Sequence, residues 1–188
     1  MAVEEPKFAL VMKDGSFEIR DYPGLVVAEV NVGGDRNDAS SAGFRLLAGY
    51  IFGGNAGRKS IAMTAPVTQS RPEGEKIAMT APVGLSGTQG DWVVQFTMPS
   101  EYTLETLPVP NDGRVHLRQL PPTRYAVLKF SGLTRDHTVS QRQAELDAFV
   151  KARGLVANGK GSLARYDPPW TPWFMRRNEV MVPIASAP

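Results

Sequence analysis

The chain of 188 residues contains no cysteine and only two histidines. Without thiols there can be no disulfide, thiolate zinc site, iron–sulfur cluster, cysteine nucleophile or C-x-x-C-H haem attachment. With His116 and His137 alone, a multi-histidine metal site is not expected. The same scarcity explains a charge anomaly, a pI of about 9.0 at a net charge of only +2. Almost nothing titrates between the carboxylates and the amines, so a small excess of Lys and Arg carries the isoelectric point far upward. The basic residues form no cluster of the kind nucleic acids require, and no nucleic-acid partner is expected. No run of about 18 apolar residues occurs, so no membrane span is expected. The start, Met1-Ala-Val-Glu-Glu-Pro-Lys7, lacks the basic and apolar regions of a secretory signal. The reading is a cytoplasmic protein, or a periplasmic one if a signal had been removed.

What is present suffices for one sizeable core: 42% of the residues are hydrophobic, while 18 glycines and 15 prolines predict short, interrupted elements. Phe17–Arg20 alternates apolar and polar, Tyr22-Pro-Gly24 signals a turn, and Leu25–Val32 is a β-branched run, which together predict a strand pair. Asp35 to Asp38 offers N-caps, and Phe44, Leu47, Ala48 and Ile51 form a helical stripe closed by Gly53-Gly54. Strands are predicted at Ile61–Thr68, Ile77–Val83 and Trp92–Met98. The second half repeats the plan. Val115–Leu120 and Tyr125–Ser131 read as strands flanking a Pro121-Pro122 turn, Ser140-x-x-Gln143 as a capping box of a helix ended by Gly154, and Leu163–Tyr166 and Glu179–Ile184 as closing strands. The expected class is α+β, one domain over residues 16–188 with halves of about 16–100 and 101–184, preceded by an extension over 1–15.

Ile61-Ala-Met-Thr-Ala-Pro-Val67 recurs literally as Ile77-Ala-Met-Thr-Ala-Pro-Val83. A β-hairpin packing Ile, Met and Val on the core accounts for this, its prolines at edges or strand ends. Alternatively Met63 or Met79, soft and adaptable, lines a ligand cleft. Gly53–Ser60 has Arg58 where a phosphate loop needs glycine, and reads as a connector. His116 alternates with apolar neighbours as a structural histidine, and His137 sits at a helix start. Arg176-Arg177-Asn178-Glu179 either anchors an acidic ligand group or pairs internally. The loop containing Trp170, Trp173, Phe174 and Met175 among prolines makes a rigid apolar surface that either plugs a barrel end or walls a ligand or partner site. No catalytic constellation stands out, and enzymatic activity is not expected.

Phe17-Glu-Ile-Arg-Asp-Tyr22, Gly43-Phe-Arg-Leu-Leu47 with Tyr50-Ile51, Met-Thr-Ala-Pro-Val, Phe96-Thr-Met-Pro-Ser-Glu101 and Arg176-Arg-Asn-Glu-Val180, in this order, resemble the SOUL haem-binding protein family over roughly residues 16–184. The resemblance implies a distorted antiparallel β-barrel of two pseudo-repeated halves with two helices, similar to gyrase-inhibitor-like effector-binding domains. It also implies a non-catalytic protein holding haem in an apolar cleft between the first helix and the loop before the last strand. On this chain those walls map to Phe44, Arg45, Leu47, Ala48 and Ile51 of the helix, to Trp170, Trp173, Phe174, Met175 and Arg176 of the loop, and to Met63. Where relatives carry basic residues on the helix this chain has Ser41 and Gly49, and where some carry an axial histidine it has Asp21. Haem is therefore expected to bind weakly and without a family-type axial ligand, and the iron ligand stays open among Met63, Met79, Met175, Tyr22, His116 and His137. Two alternatives stand beside haem: a sensor or carrier of other hydrophobic small molecules, and a protein-interaction module using the tryptophans.

Overall fold

The strands are β1 (Ala9–Asp14), β2 (Phe17–Tyr22), β3 (Leu25–Val32), β4 (Val67–Ser70), β5 (Trp92–Thr97), β6 (His116–Leu120), β7 (Thr123–Ser131), β8 (Ser162–Arg165) and β9 (Arg177–Ile184), with helices α1 (Arg36–Ile51) and α2 (Asp136–Ala152). They come from a computed structural model describing residues 4–71, 91–168 and 170–185. The second copy of the repeat, Ile77–Val83 with Met79, lies outside the described residues. All strands join one antiparallel sheet in the order β1-β2-β7-β9-β8-β4-β5-β3-β6. The sheet is curled but open, not a closed barrel, with β1 and β6 at its edges.

Both strand pairs expected from adjacency are absent. β2 pairs with β1 and β7, and β3 with β5 and β6. The Pro23-Gly24 and Pro121-Pro122 turns each hand the chain to a different part of the sheet. The result is a pseudo-twofold in which β2, β3, β4 and β5 correspond to β6, β7, β8 and β9. Exchanging the halves turns β3·β5 into β7·β9, β4·β5 into β8·β9, β3·β6 into β7·β2, and leaves β4·β8 unchanged. With the two proline turns superposed, Arg20 corresponds to Arg118, and the ladder registers equate Gln69 with Leu163 and Arg71 with Arg165. β1 has no counterpart; residues 9–14, placed ahead of the domain in the sequence reading, form a strand of the sheet.

Asp35 caps α1, its carboxylate accepting from the N–H groups of Asn37 and Asp38 at 2.9 Å, and the helix ends where Gly53 takes φ +111°. α2 starts at Asp136, so Ser140 lies inside the helix and its capping box does not form. Arg135 occupies the N-cap without a side-chain bond, and Asp136 in the first turn complements the helix dipole. The strand expected over Ile61–Thr68 shortens to Val67–Ser70, because Pro66 cannot donate to a ladder and the Thr64 hydroxyl donates to the Thr97 carbonyl instead.

Alternation along the strands gives each helix its own core on one face of the sheet. Leu47, Tyr50 and Ile51 of α1 pack on Ala28, Val30, Val94 and Phe96. Val139, Leu146 and Val150 of α2 pack on Ile19, Leu128, Val180 and Val182. α1 approaches β5 so closely that a Cβ on Gly43 would lie 2.6 Å from Val94 Cβ. Gly43→Ala is accordingly expected to cost about 1–3 kcal/mol through overpacking, read as a lower thermal midpoint; an unchanged midpoint would contradict this packing.

The helix-free face holds a buried polar network. Arg20 donates through Nη1 and Nη2 to the two Glu179 oxygens at 2.8 and 2.9 Å, and through Nε to Glu18 at 2.7 Å. Lys129 reaches Glu18 at 2.6 Å and the Tyr166 hydroxyl donates to Glu179 at 2.7 Å. Burial opposes charge on Arg20, but its bonds to Glu179 outweigh it and hold the guanidinium ionised. Burial and the Glu179 charge push the Tyr166 hydroxyl well above its ordinary value, so it remains a donor. The N-terminal segment straps across this network: Phe8 lies 4.3 Å from the Arg20 guanidinium and Glu5 pairs with Arg177 at 2.6 Å.

Candidate functional site

Arg36, Ser40 and Phe44 follow one another at four-residue spacing along one side of α1. Beside them ends β8, and its last residue, Arg165, shares the helix-facing side with Leu163. Arg165 donates through Nε to Thr134 Oγ1 at 3.2 Å and through Nη1 to Ser40 Oγ. Among the described residues no carboxylate lies within ion-pair distance of it. The neighbouring arginines are otherwise engaged: Arg36 pairs with Asp136 at 2.8 Å, and Arg176 Nε donates to the Thr171 carbonyl at 2.8 Å. Burial first, then the like charges of Arg36 and Arg176, lower the Arg165 pKa from 12.5 to about 10. Still ionised at neutral pH, Arg165 is a part-buried cation without a counter-charge among the described residues, and cations withdrawn from water ordinarily have one.

The strand continues into the aromatic loop. Thr171 N–H donates to the Pro168 carbonyl at 3.0 Å and Met175 N–H to the Pro172 carbonyl at 2.9 Å, closing a 3-10 turn over Trp173–Met175. Trp173 and Phe174 meet edge to face at 5.7 Å. Trp170 is 81% exposed, Trp173 58%, Phe174 60% and Met175 64%. Plugging a barrel end is thus not their role. They present an exposed apolar surface ahead of β9.

The helical half of the expected site divides in two. Leu47 and Ile51 are fully buried against the sheet and offer no surface to a ligand. Phe44 and Arg45 are exposed, with the Phe44 ring 5.4 Å from Phe96. Ala48 is half-buried and Met63 packs partly buried against the α1 core. Arg165 ties α1, through Ser40, to Thr134 ahead of α2, and half-buried Arg176 of the loop lies near enough for its charge to act on it. The sequence signal for Arg165 is a cation on the inward side of an otherwise apolar strand, Leu163-Ala-Arg165.

His116 and His137 are both exposed. Asp21, which the resemblance sets against the axial histidine of some relatives, is held by Arg124 at 2.6 and 2.8 Å. Among the described residues no group of three or more His, Asp or Glu is placed to hold a metal, and no helix is long and apolar enough to cross a membrane. Gly53–Ser60 is a connector organised by buried Asn55, whose amide donates to the carbonyls of Tyr50 and Lys59 at 2.8 Å.

Mouse heme-binding protein 2 is 27% identical over 177 residues, covering 89% of this chain and 82% of the relative. The fold recurs in the C-terminal domain of EcmrR, with a TM-score of 0.62 at 12% identity, covering 91% of this chain and 98% of that one. It recurs also in a hydrolase from Listeria innocua, with a TM-score of 0.58 at 14% identity and coverages of 93% and 94%. Residues 3–183 match the family described as SOUL heme-binding protein, and the chain belongs to that family.

Proposed function

We propose that this protein binds haem, or a closely similar tetrapyrrole, without catalysing a reaction on it. The observation that carries this reading is Arg165, a recessed cation without a carboxylate partner among the described residues, fixed to α1 through Ser40 and followed in sequence by an exposed aromatic loop. A macrocycle with apolar faces and a carboxylate edge matches both features. Trp173, Phe174, Met175 and Phe44 would supply apolar contact, and Arg165 with Arg176 would receive the propionates through charge-assisted hydrogen bonds. The bound iron supplies the redox and ligand-binding chemistry of haem. Asp21 is committed to Arg124, so the family-type axial position contributes nothing here, and the affinity comes from apolar contact together with the arginines.

Haemin titration followed by the Soret band tests this reading. The wild type is expected to shift the free-haemin spectrum and to gain thermal stability with ligand concentration. Removing both aromatic faces in Trp173→Ala/Phe174→Ala is expected to weaken binding at least about tenfold, or 1.4 kcal/mol. An unchanged free-haemin spectrum with wild-type protein would refute the proposal. The bare tryptophans also favour a second reading, docking of a protein or another hydrophobic molecule; in that case Trp170→Ala/Trp173→Ala abolishes partner capture while haemin has no effect.

A further inference from the structure

The pseudo-twofold that equates Arg71 with Arg165 also equates Ser140 of α2 with Ser40 of α1, since both helices start one residue after corresponding N-caps, Asp35 and Arg135. The counterpart of the Arg165 recess is therefore a groove between α2 and the ends of β4 and β5. It is an open cavity of about 430 Å³ whose lining includes Arg36, Gln69, Arg71, Trp92, Ser140 and Lys160.

Two features of this groove point to a ligand. The first is charge: Arg71, Lys160 and Arg36, which also pairs with Asp136, line the groove against Asp147, the one carboxylate among the lining residues. The Arg36 and Arg71 guanidiniums both lie over the Trp92 ring, at 4.6 and 4.0 Å, which holds them in place at the groove. The second is an orphan. Gln69 is 3% exposed, and its Nε2 donates to the Arg36 carbonyl at 2.9 Å, which orients the amide, while its Oε1 has no partner among the described residues. A buried acceptor left unmade costs free energy that a donor in the groove would recover.

A cationic rim around an unsatisfied acceptor selects an unusual ligand. A fully deprotonated oxyanion satisfies the arginines but repels the Gln69 oxygen, and a neutral donor satisfies Gln69 but leaves the rim charged. The geometry points to a binding site for a compact oxyanion that retains its own proton, hydrogen phosphate being the simplest example. The cavity leaves room for a small organic body behind that head group. This site is separate from the aromatic loop and does not depend on haem binding.

Trp92 reports on the site directly. With three tryptophans in the chain, Trp170→Phe/Trp173→Phe leaves it as the sole indole. Its fluorescence is followed during titration with phosphate and with sulfate at constant ionic strength near neutral pH. Phosphate keeps an O–H donor there and sulfate does not. A saturable response to phosphate, about tenfold tighter than to sulfate, is expected. Gln69→Met, similar in volume and without the acceptor, should abolish that preference. Arg71→Ala, on the exposed rim, should weaken both anions, whereas Arg165→Met should leave the response intact. Non-saturating or equal responses to the two anions would overturn the proposal. So would a preference that survives Gln69→Met, or a response lost in Arg165→Met.

Discussion

Glu179→Ala is expected to lower the stability of the protein by about 3–5 kcal/mol, because it strands a buried guanidinium. Arg20 would retain Glu18, which it shares with Lys129, but lose both bonds to Glu179, and the half-buried Tyr166 hydroxyl would lose its acceptor. For a chain of this length each kcal/mol shifts the midpoint by roughly 2–4 °C, so a fall of about 6–20 °C in a circular-dichroism melt is the expected reading. The paired variant Arg20→Met/Glu179→Leu, which removes the charges together, should recover much of the loss, since the penalty comes from the uncompensated ion. A loss below about 1 kcal/mol in the single variant would show that water reaches the network. The same face sets the acid limit. Burial alone would raise the Glu18 pKa, but bonds from Lys129 and Arg20 bring it below the ordinary 4.5. Its contribution is therefore complete above the unfolded value and disappears as pH falls through the lower folded one.

Arg165→Met is expected to separate binding from stability. The folded pKa of about 10 lies below the ordinary 12.5, so the charged form is disfavoured by folding. That penalty is complete below pH 10 and is relieved only as pH rises from there toward 12.5, where the folded protein releases its proton before the unfolded chain does. Methionine removes the charge while filling much of the space. The thermal midpoint of the free protein is expected to hold or rise, despite the lost bonds to Ser40 and Thr134. Haemin affinity is expected to fall about ten- to a hundredfold, the loss of a charge-assisted contact worth roughly 1.5–3 kcal/mol. A variant that melts well below the wild type yet binds haemin equally would make Arg165 a structural residue. Stability given up at a site for the sake of its ligand is a recurrent trade in binding proteins.

Local pattern recovered the elements well and their assembly poorly. The β-branched run of Leu25–Val32 and the stripe of Phe44, Leu47, Ala48 and Ile51 are properties of a few consecutive residues, and both elements formed where expected. Pairing is a long-range outcome: nothing within Phe17–Val32 indicates that its two strands take partners from the other half. The start of α2 escaped because Arg135 caps without a side-chain bond, leaving no motif to read, while Ser140-x-x-Gln143 imitated one. The aromatic loop stands out in the sequence because two tryptophans and a phenylalanine fall within five residues among prolines, and its exposure is what the structure adds. The Leu47 and Ile51 positions were misplaced because an apolar stripe looks the same whether it faces a ligand or the core. Arg165 takes its surroundings from Ser40 of α1 and Thr134 ahead of α2, both distant in sequence, so no local pattern carries them.

The exchange of opening strands between the halves has a consequence for cooperativity. Since β2 completes the sheet of the second half and β6 that of the first, neither half can bury its own edges, and the protein amounts to a strand-swapped dimer joined into one polypeptide. Such a chain should melt in a single transition with no half-folded species. Two fragments cut between β5 and β6 should each stay unfolded alone and regain structure only when mixed.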